Sequence, residues 1–236
     1  MSSARSLILL FLPFFLNIVI DRVIWFQVPY SLWSENPREA QIIFTSLLQT
    51  YGSPLMSLIQ VSFGFYASRG LGGVRNLFSK EDLMEKPLRS VLFVAALFSL
   101  SWFLLMFEGF VNVVVQGISW EEYGKVWSDS MRRTPIESRL FTLIVGSFTA
   151  GVFEEIIWRA YGITMLEDKY GAKIALIIQA VAFGVWHIQP IHAFFATMIG
   201  IVYGYVFIKR RRLLVLSLAH WLTDTIGFYF SLFFYD

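Results

Sequence analysis

Two carboxylates and a guanidinium, Glu154, Glu155 and Arg159, stand inside the otherwise apolar stretch G-V-F-E-E-I-I-W-R-A-Y from Gly151 to Tyr161. A charge at the centre of a bilayer helix costs about 2.5 to 3.5 kcal/mol on insertion scales, so such groups are rare there and face a polar cavity or one another. Two of the three histidines, His187 and His220, lie in other apolar runs, with Phe183 four residues before the first and Asp224 four residues after the second. Glutamate and histidine can take a proton from water and return it to a leaving group, which is the general acid-base chemistry of hydrolysis. On a helix, Glu155 and Arg159 share one face and can neutralise each other, while Glu154, turned by about 100°, addresses another direction. By the same spacing His220 and Asp224 point the same way, and the Phe183 ring can wall His187. Trp158, Trp186 and Trp221 adjoin these groups, with aromatic core packing as their default role.

The elements that must hold these residues are membrane helices. Of 236 residues, 56% are hydrophobic and 18% aromatic, well above the roughly 45 to 50% apolar content of a soluble domain. Repeated apolar runs of about 20 residues suit a hydrocarbon core about 30 Å thick. The expected fold is all-α: one integral membrane domain over 1–236, about seven spans, with the catalytic core helices in 139–235. The net charge of +2 gives no footprint for nucleic acid, and the absence of cysteine excludes disulfides, thiolate catalysis and Cys-type metal sites.

Span one is expected at Ser6 to Ile20, retained because no small-x-small cleavage site follows it. Span two covers about Ala40 to Tyr66, with a kink near Gly52 and Pro54, and its Gln49 and Gln60 suit contacts between helices. Between Ala67 and Arg89, G-V-R-N-L-F-S-K-E-D-L-M has the spacing of an interfacial amphipathic helix. Span three starts near Ser90 and places Glu108 at a solvated helix end. Ile118 to Ser138 is expected as a loop with tryptophan anchors. Spans four to seven run from about Arg139 to Leu166, Ala172 to Ile188, Pro190 to Ile208 and Leu213 to Tyr235. Gly200 and Gly204 form a small-residue face suited to close packing, and His192 is expected at the interface.

Twelve lysines and arginines fall in loops on the N-terminal side (5, 69, 75, 80, 86, 89, 169, 173 and 209 to 212) and six on the other (22, 38, 125, 132, 133 and 139). The positive-inside rule then puts the N-terminus in the cytoplasm and, with seven spans, the C-terminus outside. Counted from the cytoplasmic helix ends, Glu154, His187 and His220 lie about 18, 21 and 13 Å deep, which brings them to one cavity, expected toward the cytoplasmic half of the bilayer.

The order E-E-x-x-x-R, F-x-x-x-H, H-x-x-x-N/D on successive late helices resembles the CPBP intramembrane proteases: type II CAAX prenyl endopeptidases and bacteriocin-processing or immunity (Abi) proteins. The likeness covers about Val145 to Gly227. It implies an intramembrane endopeptidase acting on a membrane-associated peptide or a prenylated, CAAX-like protein at the bilayer. In that reading Glu154 activates water and Glu155 and Arg159 support it. His187 is a second water-activating or metal-ligating group, and His220 with Asp224 faces the scissile carbonyl. The prenyl endopeptidase branch usually carries asparagine where Asp224 stands. An ionised Asp224 cannot donate a hydrogen bond, which favours it as orienter of His220 or as a metal ligand.

Metal-independent glutamate catalysis is the preferred reading, with no cofactor required. Glu154, His187 and His220 could also supply three ligands to a catalytic zinc, although no H-E-x-x-H helix is present. Other readings stay open: a proton-coupled transporter, a non-catalytic bacteriocin-immunity membrane protein, a structural Glu155–Arg159 pair, or haem held by His187 and His220.

Overall fold

The computed structural model describes residues 3–79 and 81–233, and among them every regular element is helical. Six apolar stretches are long enough to cross a bilayer: Arg5–Trp25, Pro37–Arg69, Pro87–Gln116, Ile136–Trp186, Pro190–Arg210 and Leu213–Phe233. The fourth has 51 residues, about 76 Å if straight and more than twice a hydrocarbon core. It cannot be one crossing. Gly171, at φ 77° and ψ 160°, breaks it, in a conformation that a residue without Cβ adopts at no steric cost. Trp158 meets Phe183 at 5.5 Å and Trp186 at 5.8 Å between ring centroids, and Gly162 lies against Gln179. Such pairing about residue 171 is that of an antiparallel hairpin. Residues 136–170 are therefore span four and residues 172–186 span five, which gives the seven crossings expected. The outer end of span seven, to Tyr235, extends beyond the described residues.

Span four is the most buried of these stretches. Two parts of it, Thr142–Gly146 and Ala150–Ile163, are wound as π-helix, a form most often found as short bulges at functional sites. Spans two, five and seven pack around it. Gly151 is what lets span seven approach: a Cβ there would lie 2.7 Å from the Cα and backbone nitrogen of Trp221, so the helix carrying His220 rests on bare backbone. Large apolar side chains left exposed on the outer spans, such as Ile8, Phe15, Leu58, Leu92 and Phe103, face where lipid tails belong.

Span two loosens rather than breaks. A π-helical turn at Leu48–Gly52 precedes Ser53–Arg69, with Pro54 in its first turn. The expected surface helix between Ala67 and Arg89 is instead two single turns, Val74–Leu77 and Glu81–Met84; Lys80 lies outside the described residues. Val74, Leu77, Phe78 and Leu83 pack on the core, so burial of these side chains at the end of the bundle replaces a continuous amphipathic face.

The amphipathic helix lies in the segment expected as a loop. Trp120–Arg133 is helical and opens on a capping box: Ser119 Oγ accepts from the Glu122 amide at 3.1 Å, and Glu122 Oε2 accepts from the Ser119 amide at 2.8 Å. Its Ser128, Ser130 and Met131 are buried, and Arg38–Asp129 and Arg133–Glu39 ion pairs tie it to the start of span two.

Candidate active site

The π-wound stretch of span four carries Glu154, Glu155 and Arg159, all fully buried. Their surroundings differ. Glu155 Oε1 accepts from His220 Nδ1 at 2.9 Å and lies 3.1 Å from the Arg159 guanidinium. That second contact is close enough for an ion pair but is not aligned as a hydrogen bond, because the guanidinium stacks 4.0 Å above the Phe183 ring and 5.5 Å from that of Tyr203. Glu155, Arg159 and Phe183 thus form a packed polar layer with His220 against it.

Glu154 faces the other way. Its Oε1 accepts two hydrogen bonds, from Gln60 Nε2 at 2.7 Å and Trp186 Nε1 at 2.8 Å. Two donors on one oxygen fix the rotation of the carboxylate. The second oxygen, Oε2, is buried with no hydrogen-bond partner within the protein and lies 3.9 Å from His220 Nε2. Gln60 is itself held from behind, its Oε1 accepting from Thr149 Oγ1 at 2.7 Å, and the Trp186 carbonyl accepts from Asn17 at 2.7 Å. Spans one and two therefore reach into the site, which the motif residues alone do not indicate. A glutamine in an apolar span carries no sign that tells a helix contact from a ligand to a carboxylate, and Trp186 had core packing as its default.

Glu154, His187 and Asp224 line one cavity of about 530 Å³. His220 does not. It sits a layer behind, with Nε2 3.5 Å from Asp224 Oδ2, longer than an ordinary N–H···O hydrogen bond. Asp224 was expected to orient His220; Glu155 does so through Nδ1, and Asp224 is left at the cavity wall. His187 Nε2 is buried without a partner within the protein. Its ring stands edge-on to Phe183 at 5.2 Å and to His192 at 4.5 Å.

Glu108 and His192, expected at a solvated end and at the interface, are a pair: Nδ1 and Oε2 are 2.8 Å apart, and both residues line the cavity. Glu108 is buried to 8% exposure. His187 itself ends the span-five helix, and the next residue, Ile188, has φ 61°. A β-branched residue at positive φ is strained by about 1 to 3 kcal/mol, and the bend it makes turns the chain toward Pro190 and presents His187 and His192 together.

The cavity has a side. Following the seven spans in order, residue 5, the links around residues 70–86, Gly171 and residues 211–212 share one face of the bundle, here the near face. The links at residues 26–36, 117–135 and 187–189 share the far face. From Glu154 the cavity runs to Trp120, Tyr123 and Trp127 of the amphipathic helix, in the half toward the far face. A cytoplasmic N-terminus and a site in the cytoplasmic half were expected together; this arrangement does not allow both. The depth count itself had His187 about 21 Å from the near end, and the structure has it at the far end of span five.

Among the described residues no group of three or more histidines, aspartates or glutamates is arranged to hold a metal ion. Glu154, His187 and His220 do not converge as the zinc set, since His220 gives Nδ1 to Glu155, keeps only Nε2, 3.9 Å from Glu154 Oε2, and does not line the cavity that His187 lines.

The family model Rce1-like, described as Type II CAAX prenyl endopeptidase Rce1-like, matches residues 136–226. A Bacillus subtilis (strain 168) protein named "Putative membrane peptidase YdiL" is 27% identical over 137 residues, which are 58% of this chain and 54% of that relative. The chain therefore spans about half the length of the curated relative it matches. No solved structure matches.

Proposed function

We propose that this chain, whose residues 136–226 match the Rce1-like family model and which is similar to the protein named "Putative membrane peptidase YdiL", is a CPBP-type intramembrane protease that hydrolyses a peptide bond of a membrane-associated substrate with water activated by Glu154. The observation that carries this reading is the asymmetry of the Glu154 carboxylate: one oxygen is fixed by Gln60 and Trp186, and the other has no partner within the protein in a residue that lines the cavity.

In the proposed reaction Glu154 Oε2 takes a proton from water, whose oxygen bonds to the scissile carbonyl carbon. The carbon–nitrogen bond then breaks, and the proton passes from Glu154 to the departing amine, so Glu154 ends as it began. His187, which also lines the cavity and whose Nε2 has no partner within the protein, steadies the water and the oxygen of the tetrahedral intermediate. His220 is a positioning residue in this scheme: Glu155 fixes its Nδ1, and its Nε2 stands between the carboxylates of Glu154 and Asp224. No step requires a metal.

The test is cleavage in proteoliposomes holding a library of membrane-anchored peptides, with new termini read by mass spectrometry. Wild-type protein is expected to give defined products with or without chelator, and His187→Ala to give none. Absence of any product from the wild-type protein, or chelator-sensitive cleavage, contradicts the proposal.

A further inference from the structure

We infer that the cavity opens on the non-cytoplasmic face and takes an internal stretch of a polypeptide exposed there, not the free C-terminus of a cytoplasmic lipidated protein. This rests on the protease reading above and adds to it a side of entry and a substrate class.

Two independent observations support it. The first joins the cavity to the charge distribution. Its mouth is walled by Trp120, Tyr123 and Trp127 on the far face, while twelve loop lysines and arginines belong to the near face and six to the far one. The positive-inside rule counts such residues in short loops close to span ends, and it keeps the richer side in the cytoplasm. On the far face the cations are largely matched: Arg38 and Arg132 by Asp129, Arg133 by Glu39, Lys125 by Glu121. On the near face Arg211 pairs with Glu167 and Arg212 with Glu85, yet Lys86, Arg89, Arg210 and Arg212 gather around a pocket with Glu85 as its one acid, an excess suited to the anionic headgroups of a cytoplasmic leaflet.

The second observation is the sign of the cavity wall. Glu108, Glu154 and Asp224 line it, and no lysine or arginine does. Recognition of a free C-terminal carboxylate calls for a cation or an array of donors aimed at it, and a carboxylate brought among three acids is repelled. Peptide groups in the interior of a chain carry no charge and meet no such barrier. Tryptophan and tyrosine at the mouth suit a segment lying where bilayer and water meet.

The chain contains no cysteine, so single cysteines report without further changes. Lys125→Cys on the mouth helix, Asn112→Cys in the cavity and Lys173→Cys on the near face are each expressed in intact bacterial cells and treated with a membrane-impermeant maleimide. The first two are expected to label in intact cells, and Lys173→Cys only after permeabilisation. The opposite pattern, or labelling of all three in intact cells, overturns the inference. In proteoliposomes, two anchored peptides share the same cleavage sequence, one continuing beyond it and one ending in a free carboxylate three residues past the scissile bond. The continuing peptide is expected to be cut at least tenfold faster, and equal or reversed rates overturn the substrate class. If neither peptide is cut while the labelling holds, the protease reading fails and the side of entry stands.

Discussion

Glu154 and Glu155 are adjacent in sequence and equally buried, yet they belong to different regions of the molecule. Around Glu155 the bundle is packed: Arg159 beside it, His220 donating to it, Phe183 and Tyr203 covering the guanidinium. Around Glu154 the carboxylate is gripped at one oxygen, is left without a partner within the protein at the other, and belongs to a residue that lines the cavity. A membrane interior tolerates a buried charge either by pairing it or by giving it a polar cavity, and here both solutions occupy successive residues. Pairing makes a framework; access makes a reagent.

The largest effect is expected where the packed region is broken. Arg159→Met breaks a buried ion pair and leaves Glu155 with His220 as its partner; removing one member of a buried pair costs about 3 to 5 kcal/mol. Thermal unfolding in detergent should show a lowered midpoint together with loss of activity. Gln60→Leu should act on the other region: it removes one of two hydrogen bonds to the Glu154 carboxylate, worth about 1.5 to 3 kcal/mol to a charged group, and should lower kcat by about 10- to 100-fold while KM and the midpoint hold. Equal kinetics in Gln60→Leu would remove that residue from the site. Smallest is the pair at the mouth. His192 is 30% exposed by side chain and Glu108 11%, and Glu108→Gln keeps an amide that can still hydrogen-bond the imidazole, so the cost should stay at about 1 kcal/mol, the net worth of one hydrogen bond. Cleavage should then slow by no more than about fivefold, measured as kcat/KM on an anchored peptide.

The residues of the three motifs were legible because charge in an apolar run is rare, and the number of spans because hydrophobic length is a direct count. The break between spans four and five was legible in Glu167-Asp168-Lys169, while Gly171, the hinge within it, was not marked out. Trp120–Arg133 could have been found: S-W-E-E is a capping box at Ser119 and Glu122, which outweighs the low apolar content that made the segment read as a loop. Gln60, Trp186 and the Glu108–His192 pair were beyond reach, since each acquires its partner from a helix distant in the chain. The depths themselves already carried the side of the cavity: about 21 Å along a span expected to end at Ile188 puts His187 next to the far end, where the structure has it.

The claim that Glu154 is the base and Glu155 the framework is tested most directly by comparing single-turnover cleavage for Glu154→Gln and Glu155→Gln in the same proteoliposomes, with an unfolding midpoint for each. Glu154→Gln should keep its midpoint and lose about 10²- to 10⁴-fold in rate, while Glu155→Gln should lose midpoint. Cleavage by Glu154→Gln at the wild-type rate would contradict the account.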